Sequence, residues 1–358
     1  MTALIKSPDD PALADLCRNL AELAPQLDAP DAWPARQLDL CASAGVFQWF
    51  LGQQWGGQGW SEIDLLRGYL RLAAACLTTA FVITQRMGAA GRIAASENEW
   101  LQRQLLPDLV AGRSFATVGI SHLTTSRQHL ARPVLAAEET ASGFELSGYS
   151  PWVTGAEFAQ HIVLGATLAD QRQVLVALPT NLAGVRTERS PQLVGLSASR
   201  TGTVHLDRAR LDRRWLLAGP TPEVMKQGAG AKTGGLQTSA LALGLAWAAI
   251  DFLDQQRRER SNLADPVDAL RSGWDALAND LFSLAAGLPI CTSDNLRTRA
   301  NSLALRSTQA ALAAAKGAGY VVGHPAGRWC REALFFLVWS CPQNVLSANL
   351  CELAGISA

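Results

Sequence analysis

The sequence predicts a mostly α-helical protein with a β domain in its middle, and three observations predict it. Apolar residues recur at spacings of three and four over residues 1–112. Short β-type runs between turn residues take over across 113–220. Ala- and Leu-rich segments return across 221–358. These stretches are read as an N-terminal helical domain, a middle β domain and a C-terminal helical bundle. At 358 residues the chain is long enough for two or three packed layers sharing extensive cores.

In the first stretch, Leu13, Leu16, Leu20, Leu23 and Leu27 make one apolar helix face. Trp55-Gly56-Gly57-Gln58-Gly59-Trp60 breaks the period. Ser61 then offers a capping hydroxyl with an acid, Asp64, three residues on, the form of a helix start. That helix carries Leu65, Leu66, Tyr69, Leu70, Leu72 and Ala73. Another is predicted over Asn98 to Ala111, kinked or ended by Pro107. In the middle stretch, residues 144–147, 161–164, 173–178 and 203–206 read as strands, punctuated by Gly, Pro, Asp and Ser. In the last, residues 236–256 and 301–316 are apolar on most sides, as interior helices of a bundle are.

Lys+Arg and Asp+Glu both number 31, so no basic field exists to attract nucleic acid or an anionic membrane. A neutral chain with 48% hydrophobic residues suits an oligomer that hides surface. The seven cysteines are odd in number and none stands in C-x-x-C spacing, which argues against structural zinc and a disulfide framework. They read as reduced thiols in a cytoplasmic protein. The start of the chain does not have the form of a signal peptide. Its longest apolar stretch, 239–253, is interrupted by Gly244 and Asp251 and is shorter than the roughly 20 residues that span a bilayer. No membrane partner is expected.

Six segments, in order, resemble the acyl-CoA dehydrogenase family. They are Trp55-Gly56-Gly57-Gln58-Gly59, the run 105–112, the strand 114–122, the strand 148–156, the run 195–202 with 204–209, and Gly317-Ala318-Gly319-Tyr320 with Pro325, Arg331 and Glu332 following. The resemblance extends from about Leu40 to Leu353. It implies a helical N-terminal domain, a β-barrel-like middle domain and a C-terminal four-helix bundle. It also implies FAD held between the β domain and the bundle, in a homodimer or homotetramer, because the family's flavin site is completed across subunits. Carried over, Gly119, Ile120 and Ser121 lay backbone groups along the flavin edge, Trp152 packs on the isoalloxazine, and Thr154 bonds near N5. Arg258 would reach the partner's pyrophosphate.

The departures from the family pattern bear on the reaction. Ser121-His122-Leu123-Thr124-Thr125-Ser126-Arg127 replaces the usual Thr-Glu-Pro and Gly-Ser-Asp. His122, Ser126 and Arg127 are then candidates to bind an anionic substrate, with His122 and Arg127 also suited to moving a proton; the bland alternative is a solvated loop. Ser340 takes the position of the usual catalytic glutamate. The second position used in the family falls near Gly234, where Thr233, Gly234, Gly235 and Leu236 offer no acid. A serine hydroxyl alone is a poor base for a carbon acid, so no catalytic residue is assigned. The family's Gln-x-x-Gly-Gly-x-Gly reads Ala313 to Gly319 here, and Pro342 replaces a threonine.

Three readings follow. The first is an acyl-CoA dehydrogenase-like FAD oxidoreductase acting on CH–CH groups of a small-molecule substrate, with an acyl-CoA as candidate. The second is a flavin-dependent monooxygenase on the same fold, using reduced flavin, FMN included, and needing no base. The third is a catalytically silent binding or scaffold protein that holds no cofactor.

Overall fold

The computed structural model of the chain describes residues 4–124, 133–226 and 235–356. Helix α1 (Pro11–Leu23) starts where the Asp10 carboxylate accepts the Ala12 amide, and it buries Leu13, Leu16, Leu20 and Leu23. After α2 (Ala35–Ser43) comes the glycine loop. There Gly56 and Gly59 have φ of 77° and 61°, and a Cβ on Gly57 would lie 1.9 Å from the Leu51 carbonyl oxygen. Ser61 caps α3 (Glu62–Ala75) by accepting the Asp64 amide. Next are α4 (Leu77–Ala95) and α5 (Glu99–Val110). Pro107 sits inside the last turn of α5, which ends three residues later.

The middle of the chain forms one sheet. Its strands are β1 (Ala116–Gly119), β2 (Leu135–Glu139), β3 (Gly143–Thr154), β4 (His161–Thr167), β5 (Gln173–Pro179), β6 (Val185–Thr187), β7 (Thr201–Asp212) and β8 (Leu216–Thr221). A single helical turn, α6 (Ser121–Thr124), follows β1. The order is β6-β7-β3-β2-β4-β5-β8, with β1 lying parallel beside β4 from Ala116 opposite His161 to Gly119 opposite Leu164. Phe144, Leu146, Ile162, Leu164, Val176 and Val204 are buried in a core of the sheet's own.

The C-terminal helices are α7 (Leu236–Arg257), α8 (Ala264–Ala285), α9 (Ser293–Gly319), α10 (Pro325–Ala333) and α11 (Gln343–Leu353). The 22-residue α7 is long and apolar enough to cross a membrane by length and composition, but 67% of its apolar window is buried inside the fold. It packs between α3 and α9. A Cβ on Gly244 would come within 2.6 Å of the Leu70 carbonyl, so α3 and α7 approach to backbone distance. Helix α9 starts eight residues before the predicted 301, because Thr292 caps it by accepting the Asn295 amide at 3.1 Å. It breaks at Lys316, whose φ of 55° is not helical. One continuous core joins the first helices, β1 and the C-terminal helices. All seven cysteines are free thiols.

Candidate functional site

The two segments that carry most of the resemblance meet at the end of β1. Ser121 Oγ donates to the Pro151 carbonyl at 3.0 Å. A Cβ on Gly119 would lie 2.8 Å from Ser150 Oγ and 3.0 Å from Leu164 Cδ1, so any larger residue here must displace side chains of β3 and β4. The Ile120 carbonyl accepts the Leu123 amide at 3.0 Å and closes the α6 turn.

Between Ser150 and Val153, β3 advances three residues while β7 advances two, from Val204 to Gly202. That extra residue is a β-bulge. Trp152 sits in it with φ of 57° and its side chain 56% exposed, whereas Ser150, Pro151, Val153 and Thr154 are all buried. A large indole left facing outward in an otherwise buried strand end is the most unusual feature of the sheet.

The same bulge turns Thr154 inward. Its hydroxyl is 1% exposed and bonded to Thr201 Oγ1 at 3.0 Å, which is bonded in turn to Ser199 Oγ at 2.8 Å. Its hydroxyl is thus partnered within the protein. The Gly155 amide donates to the carbonyls of Ser199 and Arg200, which brings the 195–202 segment to the same corner. The Arg200 guanidinium bridges Asp31 and Glu157, each at 2.7 Å, and ties the corner to the first helical stretch.

His122 is not in a solvated loop: it is buried, and Nε2 donates to the Gly165 carbonyl at 2.8 Å. Burial pushes its pKa below 6.5 and keeps the ring neutral. The cause is α6, which lays His122 and Leu123 onto β4 where Gly165 has no side chain. A Cβ there would be 2.2 Å from Leu123 Cδ1. Ser126 and Arg127 lie outside the described residues, as do Thr233 and Gly234. Arg258 caps the C-terminal end of α7 and is exposed, while its neighbour Arg257 is paired with Asp254 and Asp268.

Ser340 is half-buried, with φ of 45°, in the loop before α11. The loop is held by Trp339, which stacks on Phe335 and meets Phe81 of α4 edge-on, both at 5.0 Å between centroids. Arg297 Nη2 donates to the Trp339 carbonyl at 2.8 Å, and burial pulls the pKa of this guanidinium down to about 10. Further along α4, a Cβ on Gly88 would lie 3.6 Å from Val118 of β1. Helix α4 therefore touches both the Ser340 loop and the β1 strand.

Sequence reasoning did not single out Arg297 or Arg200, and it noted Glu332 only as a spacing match. Glu332 is buried, and burial pushes its carboxyl up to about 7. Arg297 stands in the polar run 293–300, before the Ala- and Leu-rich stretch, where no local pattern marks it.

No family model matches the chain. A probable acyl-CoA dehydrogenase of Bacillus subtilis is 21% identical over 343 residues, covering 88% of each chain. The solved complex of glutaryl-coenzyme A dehydrogenase with glutaryl-CoA superposes with a TM-score of 0.80 at 18% identity, over 97% of this chain and 96% of that one. KijD3, solved with FMN and a dTDP-linked amino sugar, superposes with a TM-score of 0.73 at 17% identity, over 97% and 93%. The chain has the acyl-CoA dehydrogenase fold and resembles, along most of its length, a divergent member of that family.

Proposed function

We propose that this protein is a flavin-dependent oxidoreductase of the acyl-CoA dehydrogenase type, with FAD lying between the sheet and the C-terminal helices. The observation that carries the reading is Trp152, an indole held outward by a bulge beside the Gly119–Ser121 strand end. A flat aromatic ring fits such a surface, because stacking satisfies the exposed indole face without adding charge. Backbone groups of Gly119, Ile120 and Ser121 would border the ring. The exposed Arg258 suits a pyrophosphate. Bound flavin supplies a hydride acceptor. The chain's own residues supply orientation, through Trp152 and the Ser121–Pro151 contact, and the aromatic wall of Phe81, Phe335 and Trp339 excludes water beside the Ser340 loop. The substrate is a small molecule oxidised at a CH–CH bond, with an acyl-CoA as candidate. The functional form is a homodimer or homotetramer in the cytoplasm.

A second reading is favoured by one feature. By the resemblance, Ser340 would take the usual base position and the other would fall near Gly234, and the sequence offers no carboxylate at either place. A monooxygenase taking reduced FAD or FMN needs none. The visible spectrum of the purified protein, followed by equilibrium dialysis against FAD, FMN and their reduced forms, tests both readings. Uptake by the native chain, weakened in Trp152→Ala, supports a flavoprotein. Bleaching by an acyl-CoA without oxygen then selects the first reading, and oxygen consumption with reduced flavin selects the second. A colourless protein that takes up none of the four overturns both and leaves the silent scaffold.

A further inference from the structure

Arg297 stands on the second turn of α9, and only 4% of it is exposed. Its guanidinium makes two hydrogen bonds. Nε donates to Asn301 Oδ1 at 3.1 Å, and Nη2 donates to the Trp339 carbonyl at 2.8 Å. Asn301 Nδ2 in turn donates to the Phe336 carbonyl at 3.0 Å, so the two side chains together pin the 336–339 backbone to α9. Both partners of the guanidinium are neutral. Among the described residues no carboxylate forms an ion pair with Arg297. Asp294, half-buried and one turn earlier, acts on it only at longer range. A charge taken out of water without a counter-charge is costly, so a cation kept here without an acid points to an anion that arrives from outside.

The remaining nitrogen marks where that anion would sit. Nη1 has no protein partner and, unlike Nη1 of Arg328, is not enclosed. It shares its carbon with Nη2, and Nη2 is bonded to the carbonyl that immediately precedes Ser340. Nη1 is therefore held close to the Ser340–Cys341 backbone, and both of those residues are half-buried. The Trp339 indole lies 5.8 Å from the guanidinium carbon and gives an apolar surface beside it. Burial lowers the guanidinium only to about 10, so it stays a cation at neutral pH. Ser340 is neutral, and the loop itself offers this nitrogen no anion.

We propose that Arg297 Nη1 and the Ser340 loop bind the carboxylate of a small monocarboxylic acid, with its short apolar tail against the Trp339 indole. One charge-assisted hydrogen bond fixes the carboxylate. Arg297 supplies a single positive charge and the acid a single negative one, so the pair is balanced. A dianion would leave one charge over in a desolvated place, and a neutral amide would leave the guanidinium unmatched. The site is built from α9 and the loop before α11, and it uses neither Trp152 nor the Gly119–Ser121 strand end. Binding of the acid therefore stands apart from the flavin reading, and the two can fail separately.

Calorimetric titration of the full chain with propionate and with propionamide, its neutral isostere, tests this. Propionate should bind saturably, and propionamide at least about tenfold more weakly, the worth of one charged hydrogen bond. Arg297→Met should lose propionate binding. Ser340→Glu sets a carboxylate of the protein's own beside the same nitrogen, and it should weaken propionate at least about tenfold. No saturable binding of propionate to the folded wild type, equal binding of propionamide, or undiminished affinity in folded Ser340→Glu overturns the proposal. If either variant fails to fold, the wild-type pair and a crystal structure at saturating propionate decide, and propionate absent from Arg297 overturns it. Propionate held by a chain that takes up no flavin upholds this site and sinks the flavin reading, and flavin uptake without propionate binding does the reverse.

Discussion

Replacing Glu332 by glutamine removes one titrating group from the interior and leaves its shape. The carboxyl moves from 4.5 to about 7 on folding, chiefly because burial disfavours its charged form, with Arg328 opposing. The folded state then holds a proton more tightly than the unfolded chain. The stabilisation that this proton brings is fully present below 4.5 and is lost as pH rises through about 7. At about 1.4 kcal/mol per pH unit, that gap amounts to about 3 kcal/mol. Glutamine is neutral throughout, so wild type should lose about 3 kcal/mol relative to Glu332→Gln between pH 4.5 and pH 8. All other titrations are shared and cancel in the difference. Urea unfolding of both proteins by tryptophan fluorescence at four pH values gives the comparison. A stability difference that stays flat with pH would refute the reasoning, and one that grows in favour of wild type at high pH would reverse its sign.

Three other perturbations bear on the sheet corner. Trp152→Ala should leave the melting temperature nearly unchanged, since the indole is more than half exposed, yet weaken flavin uptake by about tenfold or more in dialysis. Gly119→Ala should destabilise by about 1–3 kcal/mol in urea unfolding, because the new methyl would press on Ser150 and Leu164 in a packed strand. Arg200→Met should cost about 2 kcal/mol in the same measurement, by stranding Glu157 and releasing Asp31, with part of the loss offset because both acids reach solvent.

The elements were legible wherever a local signal sets them. Ser61 with Asp64 marked the start of α3, and leucines at three and four marked the buried face of α1. The valine- and leucine-rich run at 173–178 marked β5. The misreadings concern where side chains point, which local pattern does not determine. The break before 301 in apolar composition hid the first eight residues of α9, because Arg297 is buried there against a backbone carbonyl and an asparagine, not an acid. Glu332 and Arg331 stood at the right spacing, but nothing adjacent in sequence says that Thr78, 254 positions away, closes over the carboxylate.

The corner at Trp152 shows the limit most clearly. Strand residues two apart share a face, so a reading by alternation sets Trp152 and Thr154 side by side against one ligand. The extra residue in β3 breaks that alternation. It is a property of the pairing with β7 and is invisible in β3 alone. Once it is present, Val153 and Thr154 both turn inward, and the Thr154 hydroxyl finds Thr201 across the strands. Trp152 is left as the one side chain of this strand end that faces out. A positive φ at a bulky non-glycine residue has a conformational cost. Burying Trp152 with its neighbours would have avoided the exposed indole. An outward indole at this position leaves an aromatic face open to a partner. The case for a ring-binding surface therefore rests on the bulge more than on the tryptophan.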